Sequence, residues 1–131
     1  MLNLTQHRAT QEQILAGVVD MPEPVRARLS ELLTFDEIPD ADELNLRARA
    51  VAMLVMEGDE LGDPCLQAMI GGAPFFMRYL EVALLDQSVE PVYAFTRREV
   101  EEITVGGGLQ KTSVFRHVGF VRPYEAHFDV L

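Results

Sequence analysis

Apolar side chains recur at helical spacing in four segments of the chain. In residues 42–57 and 74–87, and from Val25 to Leu33, they fall on one face of a helix. A shorter helix is expected after Thr10, because Thr10 and Gln13 have the spacing of a capping box. The apolar stripe expected for that helix consists of Ile14, Leu15 and Val18.

Short apolar runs bounded by turn residues predict strands. Residues 2–6, 65–70 and 91–95 are three such runs, and the second and third flank the helix at 74–87. Such a strand–helix–strand unit has parallel strands and a right-handed crossover. After it, residues 98–121 contain two strand-like runs around three consecutive glycines, which is typical of a β-hairpin.

Together these elements predict an α/β fold. It is a small three-layer, Rossmann-like domain with a mostly parallel sheet and a C-terminal antiparallel β-hairpin. A length of 131 residues fits a single domain, 1–131, in which about residues 21–63 form a helical insert. The composition, 48% hydrophobic and 24% charged, agrees with a globular protein that needs no disulfide or metal to fold.

Signals for secretion or membrane insertion are not found in the sequence. No run approaches the roughly 20 apolar residues of a membrane span, and the first residues lack the layout of a secretion signal. The only cysteine, Cys65, excludes an internal disulfide and is expected to be a buried, inert thiol. We therefore expect a cytoplasmic protein that does not bind membranes.

The charge balance restricts the possible partners. The chain has 21 acidic and 11 basic residues and a formal charge of −10, and a surface this acidic repels duplex nucleic acid. It still permits one small anionic ligand in a locally basic pocket. The basic residues of the last third of the chain are Arg97, Arg98, Lys111, Arg116 and Arg122.

The predicted sheet locates a candidate ligand site. In an open parallel sheet, ligands bind beyond the carboxyl ends of the strands, which lie at one edge. The turns after the predicted strands are the most polar and glycine-rich of the chain. Their candidate residues are Thr5, Gln6 and His7 after the first strand, Gly71, Gly72 and Ala73 after the second, and Thr96, Arg97, Arg98 and Glu99 after the third.

Gly71 and Gly72 precede Pro74, which suits the first position of a helix. The free N–H groups and the dipole of that helix would favour a phosphate, which glycines allow to approach the backbone. The alternative is a tight turn that needs glycine only for its backbone angles, since no known nucleotide fingerprint is present. Two interpretations of His7 are likewise open. It is either a general base or a hydrogen-bond donor to phosphate, or it caps the next helix or is simply half-exposed.

Arg97 and Arg98 suggest an anion, because arginine matches phosphate oxygens with two parallel hydrogen bonds. The alternative is ion pairing with neighbouring glutamates, namely Glu99, Glu101 and Glu102. On the hairpin, Lys111 and Ser113 share one face of a strand and would add a cation and a hydroxyl to the site, unless that face is simply exposed.

Several other chemistries lack their motif. No Cys/His cluster has zinc spacing, H-E-x-x-H and G-x-S-x-G are absent, and the three histidines have no ligand spacing among themselves. We therefore expect neither a metal nor another cofactor.

Three stretches carry a resemblance to a known group of proteins. "LNLTQHRATQEQ" looks like a first strand that ends in polar residues and feeds a helix. "AMIGGAPFFMRYLEVALLDQSVEPVYAFTRRE" is similar to the strand, small-residue turn, helix and strand that line the ligand site of that group, and "QKTSVFRHVGFV" to its closing basic hairpin strand. In this layout, about half of the chain resembles the small CARF-like proteins, the CRISPR-associated Rossmann folds that include stand-alone ring nucleases.

The resemblance implies a cyclic oligoadenylate as ligand, bound across the two-fold axis of a homodimer. A ring nuclease cleaves it without a metal, by positioning a ribose 2′-hydroxyl to attack the adjacent phosphate. The implied catalytic roles are orientation of that hydroxyl by Thr5 and His7 and stabilisation of developing charge by Arg97 and Lys111. The residues implied to bind the ligand are Gln6, Gly71, Gly72, Ala73, Thr96, Arg98 and Ser113.

Two other functions remain open at this point. The acidic surface and the helices of residues 24–57 fit a non-enzymatic interaction protein of a phage or another mobile element, which would bind a basic partner. A different α/β enzyme that acts on a phosphorylated small molecule would use the same pocket as the first hypothesis.

Overall fold

The computed structural model describes residues 1–58 and 66–129. Its strands are β1 (Leu2–Asn3), β2 (Val19–Asp20), β3 (Gln67–Ile70), β4 (Glu90–Val105) and β5 (Gly108–Val121). Its helices are α1 (Gln11–Leu15), α2 (Glu23–Leu33), α3 (Ala41–Gly58), α4 (Pro74–Asp86) and α5 (Glu125–Phe128). Cys65, with the thiol predicted to be buried, lies outside the described residues.

The five strands form one sheet in the order β2-β1-β3-β4-β5. Strands β2, β1, β3 and β4 run parallel to one another, and β5 is antiparallel to β4 at the edge. This arrangement confirms the predicted Rossmann-like α/β fold with its C-terminal hairpin. The sequence pattern does not reveal β2, because only two residues, Val19 and Asp20, pair with β1.

Alternate residues of β3 belong to two different cores. Ala68 and Ile70 face the larger core, which α2, α3 and α4 complete, whereas Met69 packs with Val18 and Val92 in a smaller cluster. Burial of each large side chain in these cores stabilises the fold by about 1.5–3 kcal/mol. The predicted insert therefore supplies two of the three helices of the larger core. None of the helices in the described residues is long and apolar enough to cross a membrane.

Helix α1 is shorter than its apolar pattern suggests. The predicted capping box is confirmed: Gln13 N donates to Thr10 Oγ1 at 3.2 Å, and Thr10 N donates to Gln13 Oε1 at 3.0 Å. The helix ends at Leu15, so only Val18 of the expected apolar stripe is buried. Ile14 and Leu15 are largely exposed, which corrects that part of the prediction.

Strand β4 does not end near Thr96, as the sequence pattern predicts. It pairs with β3 only from Glu90 to Tyr93 and then continues to Val105 alongside β5. Residues 94–120, called the ribbon below, are therefore a two-stranded extension of the sheet. At roughly 3.3 Å per residue, the ribbon is about 40 Å long.

Local irregularities mark the two ends of the ribbon. A register shift between Phe95 and Thr96 lies where β4 leaves the sheet, as bulges often do at such bends. At the tip, Val105 pairs with Gly108 around Gly106 and Gly107. Both central glycines have positive φ, 58° and 83°, as a two-residue hairpin turn of type I′ requires. The predicted glycine turn is thus confirmed.

A buried carboxylate fixes the beginning of β4. Glu90 accepts hydrogen bonds from the Arg122 guanidinium at 2.6 and 2.9 Å and from Gln67 Nε2 at 3.0 Å. Arg122 also donates to Asp129 at 2.9 Å, which ties the segment after β5 to the sheet. The bonds from Arg122 above all, and then that from Gln67, hold the pKa of Glu90 below its ordinary 4.5, although burial raises it.

We expect Glu90 to make the fold sensitive to acid. Because its pKa is lowered in the folded state, its stabilising contribution is complete above about pH 4.5 and is lost as the pH falls through the folded-state value. Glu90→Gln should lower the free energy of unfolding at neutral pH by about 1–3 kcal/mol and flatten its acid dependence. Urea titrations at several pH values measure both, with the exposed Glu102→Gln as control. Equal acid dependence in E90Q and the wild type would contradict this assignment.

Candidate functional site

The strand order opens a cleft between the carboxyl ends of β1 and β3. From β1 the chain crosses to β2 on one side, whereas β3 lies on the other side of β1. In open α/β sheets, ligands bind in the crevice that such a reversal creates. A cavity of about 620 Å³ occupies this position, which is within the usual size range of small-molecule sites.

Two of the three predicted strand ends meet in this cavity. Thr5, Gln6 and His7 follow β1, and Gly71 and Gly72 follow β3, and all five line the same space. The wall also contains residues that the sequence analysis did not assign to the site, among them Arg8, Thr10, Gln13, Tyr93 and Ala94. Among the residues of the two described ranges, no three His, Cys, Asp or Glu side chains gather as metal ligands do.

The fully buried Asn3 holds the loop after β1 in place. Its Oδ1 accepts from Thr5 N at 2.9 Å and lies 2.7 Å from Thr5 Oγ1. Its Nδ2 donates to the His7 carbonyl at 2.8 Å and to Asp20 Oδ1 at 2.7 Å. One amide thus fixes both ends of the Thr5–His7 turn and joins it to β2.

Asp20 extends this network from β2 to the neighbouring elements. It accepts from Ala9 N at 3.0 Å and lies 3.6 Å from Arg26 Nη1 of α2. Burial raises the pKa of Asp20, but the hydrogen bonds from Asn3 and Ala9 and the charge of Arg26 bring it below its ordinary 3.8. At neutral pH, ionised Asp20 therefore links β1, the loop after it and α2.

The two glycines after β3 serve different purposes. Gly72 has a φ of 146°, a conformation that side chains rarely adopt, so the turn itself requires glycine. Gly71 has no such angle, and a Cβ there would lie 3.6 Å from Thr5 Cγ2, an ordinary contact. The tight-turn explanation therefore applies to Gly72, whereas the missing side chain of Gly71 leaves space in the cavity.

Helix α4 begins beside these glycines, and its first turn is not capped by a side chain. Its N-cap, Ala73, has no side chain that could cap the first turn, Pro74 follows it, and no acidic residue lies in that turn. Pro74 has no N–H, and Phe76 N donates to the Ala73 carbonyl at 2.9 Å. The N–H of Phe75 and the helix dipole are therefore what favour an anion at this end. Ala73 thus adjoins the cavity, although it does not line it.

Arg8 brings a cation to the cavity wall. It forms an ion pair with Glu23 at the beginning of α2, in which both side chains are about two-thirds exposed. Exposed pairs of this kind contribute little free energy, typically about 0–1 kcal/mol. A ligand anion can therefore compete with Glu23 for the guanidinium of Arg8.

Tyr93 forms part of the wall that β4 contributes. Its hydroxyl donates to Glu81, whose other oxygen accepts from the Tyr124 hydroxyl at 2.7 Å. Burial, followed by the hydrogen bond and charge of Glu81, raises the pKa of Tyr93, so the hydroxyl stays protonated. Tyr93 therefore shapes the cavity and does not exchange a proton near neutral pH.

The ribbon carries the other predicted residues away from the cavity wall. They are Thr96, Arg97, Arg98, Lys111 and Ser113. The predicted position of the arginine pair at a strand end is wrong, because β4 continues past it. Arg97 lies three residues beyond Ala94, about 10 Å along the strand, and Arg98 donates to Ser113 Oγ at 2.9 and 3.1 Å.

Ion pairing on the ribbon involves a different arginine from the one expected. Neither Arg97 nor Arg98 forms a salt bridge with any residue that the structure describes. Arg116, which lies opposite Arg97, contacts Glu101 at 2.5 Å and Glu99 at 3.8 Å instead. The hydrogen bond and charge of Glu101 raise the pKa of Arg116. The catalytic and binding roles of the predicted residues remain predictions.

We expect Asn3→Ala to destabilise the fold, because it leaves buried partners on β1, β2 and the loop without their hydrogen bonds. The free energy of unfolding from urea titrations should fall by about 2–4 kcal/mol. Asn45→Ala, on the exposed face of α3, is the matched control. A loss no larger than that of the control would contradict the role given to Asn3.

Gly72→Ala should cost about 1–3 kcal/mol of stability, since alanine is strained at a φ of 146°. Gly71→Ala should change the stability by less than about 1 kcal/mol. Thermal and urea unfolding of the two variants side by side measure this difference. Equal losses would mean that the two glycines do not differ as described.

Comparison with known proteins gives one family. The family described as uncharacterized protein MJ1673 matches residues 1–121, which include every strand of the sheet and the cavity. No curated protein and no solved structure matches the chain. Because the match covers most of the chain, from β1 through the ribbon, the chain belongs to the uncharacterized protein MJ1673 family.

Proposed function

We propose that this chain binds a small anionic nucleotide, such as a cyclic oligoadenylate, in the cavity between the ends of β1 and β3. The observation that carries the proposal is the position of the cavity at the reversal of strand order. There the Thr5–His7 turn and the Gly71–Gly72 turn line one space. In sheets of this kind, such a crevice is the usual ligand site.

Two features at the cavity would bind a phosphate group. The first turn of α4 presents the N–H of Phe75 just after Gly71 and Gly72, and no side chain caps this turn. Arg8 adds a cation once it leaves Glu23. Backbone donors together with one guanidinium are a common combination for phosphate oxygens.

Cleavage of the ligand is the finer part of the proposal. The Thr5 hydroxyl lies 2.7 Å from Asn3 Oδ1 and 3.0 Å from the His7 carbonyl, both acceptors, so its lone pairs remain available to a ribose 2′-hydroxyl. His7 would accept the proton of that hydroxyl as the 2′-oxygen attacks the adjacent phosphorus, the P–O5′ bond breaks, and a 2′,3′-cyclic phosphate forms, with the leaving 5′-oxygen taking a proton from water. Arg97 and Lys111 would take part only if the ligand extends along the ribbon.

Isothermal titration calorimetry with cyclic tetra- and hexa-adenylate, AMP and ATP tests the binding. We expect saturable heat with at least one of them at micromolar concentration. Gly71→Ala should weaken binding about tenfold, because the added methyl narrows the cavity, and Arg8→Ala should weaken it by a similar factor. Gly119→Ala is the matched glycine control, since its Cβ would meet no atom within 4 Å.

The outcomes separate the proposal from its alternatives. No heat with any of the four ligands at high micromolar concentration would end it. Binding that Arg97→Ala abolishes and R8A leaves unchanged would move the anion from the cavity to the ribbon. Heat with AMP or ATP but with neither cyclic adenylate would support a nucleotide site, rule out the cyclic ligand, and favour an enzyme that acts on a phosphorylated small molecule. The cytoplasmic location that suits such ligands stays a prediction.

A second candidate function is that of a protein-interaction module. A groove of about 550 Å³, called the α2–α3 groove below, favours it. Its lining consists of Phe35, Asp36, Glu37, Ile38, Pro39, Leu44 and Phe75. Apolar side chains beside carboxylates suit a partner that is both apolar and basic. Absence of nucleotide binding would make this function the stronger candidate.

A further inference from the structure

Beyond its base, where α1 contacts β5, the ribbon is largely exposed in the part of the chain that the structure describes. Beyond Tyr93, β4 pairs only with β5. Near the base of the ribbon, Glu12 of α1 accepts a hydrogen bond from His117 N at 3.2 Å. A two-stranded hairpin alone is marginally stable in water and usually needs a further strand or a packed face. An extension about 40 Å long therefore requires a covering surface.

One face of the ribbon presents apolar side chains near its middle. The strand register places Val100 and Phe115 at diagonal positions of this face, and they are 63% and 67% exposed. Arg98 and Lys111 lie on the same face, and Glu102 is opposite Lys111. The face thus combines an apolar centre with cations beside it.

The ribbon also differs in charge from the rest of the chain. Its charged residues are Arg97, Arg98, Lys111 and Arg116 against Glu99, Glu101 and Glu102. Its formal charge is therefore +1, which leaves −11 for the remainder of a chain whose total is −10. The ribbon is attracted to the acidic body of a second copy more than to another ribbon.

The α2–α3 groove on that body is complementary to the ribbon face. Ile38 at its rim is 99% exposed, and Phe75 is 51% exposed and packs edge-on against Phe35 with ring centres 5.2 Å apart. Asp36 and Glu37 precede Ile38 in the same lining. An apolar surface with a carboxylate rim matches an apolar surface flanked by cations.

We propose that two copies of this chain associate by exchanging their ribbons, so that the Val100–Phe115 face of each ribbon docks on the α2–α3 groove of the other copy. Phe115 contacts Ile38 and Phe75, and the cations of the ribbon face the carboxylates of the rim. Reciprocal contacts of this kind close a two-fold dimer. The inference does not rest on the proposed nucleotide site, since none of these residues lines that cavity.

Sedimentation velocity of the full chain without ligand tests the assembly. We expect a dimer at micromolar concentration that weakens as salt is raised, because salt screens the opposite charges. Phe115→Asp and Ile38→Arg should each raise the dissociation constant by about 30-fold or more, as loss of a central anchor does. Leu46→Asp on α3, with a matched exposure of 66%, should leave it unchanged. Circular dichroism checks that each variant is folded.

Mixing the two dimer-breaking variants makes the test specific to these two surfaces. A chain with F115D keeps its groove, and a chain with I38R keeps its ribbon. The mixture therefore regains one native contact and brings opposite charges together at the other. We expect an equimolar mixture to dimerise under conditions in which each variant alone is monomeric.

A wild-type chain that stays monomeric at high micromolar concentration would overturn the proposal, and so would a dimer that F115D leaves intact. A dimer that F115D breaks but I38R preserves, with no gain on mixing, would overturn the groove as the docking surface and indicate pairing between ribbons. These readings are made without nucleotide, so they remain separate from the calorimetry.

Discussion

The buried amide of Asn3 is the group on which the arrangement of the cavity depends. A polar side chain inside a sheet is destabilising unless its donors and acceptor are paired, and Asn3 achieves this with Thr5, His7 and Asp20. The same bonds fix the loop after β1 and hold β2 beside it. The crevice between β1 and β3 therefore owes its shape to the satisfaction of one buried polar group, and Asp20 adds a charge that binds α2 to the same point.

The sequence predicts the helices, whose apolar faces must be buried. It misses the strand segments that are held mainly by hydrogen bonds to a neighbouring strand. Helices α2, α3 and α4 are found within a few residues, because their apolar faces must cover the larger core. The meeting of the two polar turns follows from parallel topology alone. In contrast, β2 is too short to have a period. The sequence also predicts a strand end at Thr96–Glu99, because these residues are polar, whereas pairing with β5 keeps β4 extended through them to Val105.

Single residues of the cavity wall are also not predictable from the sequence. Arg8 and Gln13 belong to this wall because the cavity extends from the Thr5–His7 turn to α1, which no spacing in the sequence indicates. Asn3 looks like an ordinary strand residue until its four hydrogen-bond contacts are seen. The chain thus has two regions of different chemistry: a cavity lined by polar and glycine-rich turns, and a ribbon and groove with exposed apolar side chains. The family match includes both.

The glycine tip imposes a rule on how the ribbon can change in length among relatives. A two-residue turn closes only on a hydrogen-bonded pair, and such pairs alternate with non-bonded ones along antiparallel strands. An insertion or deletion that keeps this turn must therefore add two residues to each strand, or remove two residues from each strand, at the same time. The ribbon can therefore lengthen or shorten in evolution only in steps of about 7 Å. After each step, the remaining side chains still face the same side of the ribbon.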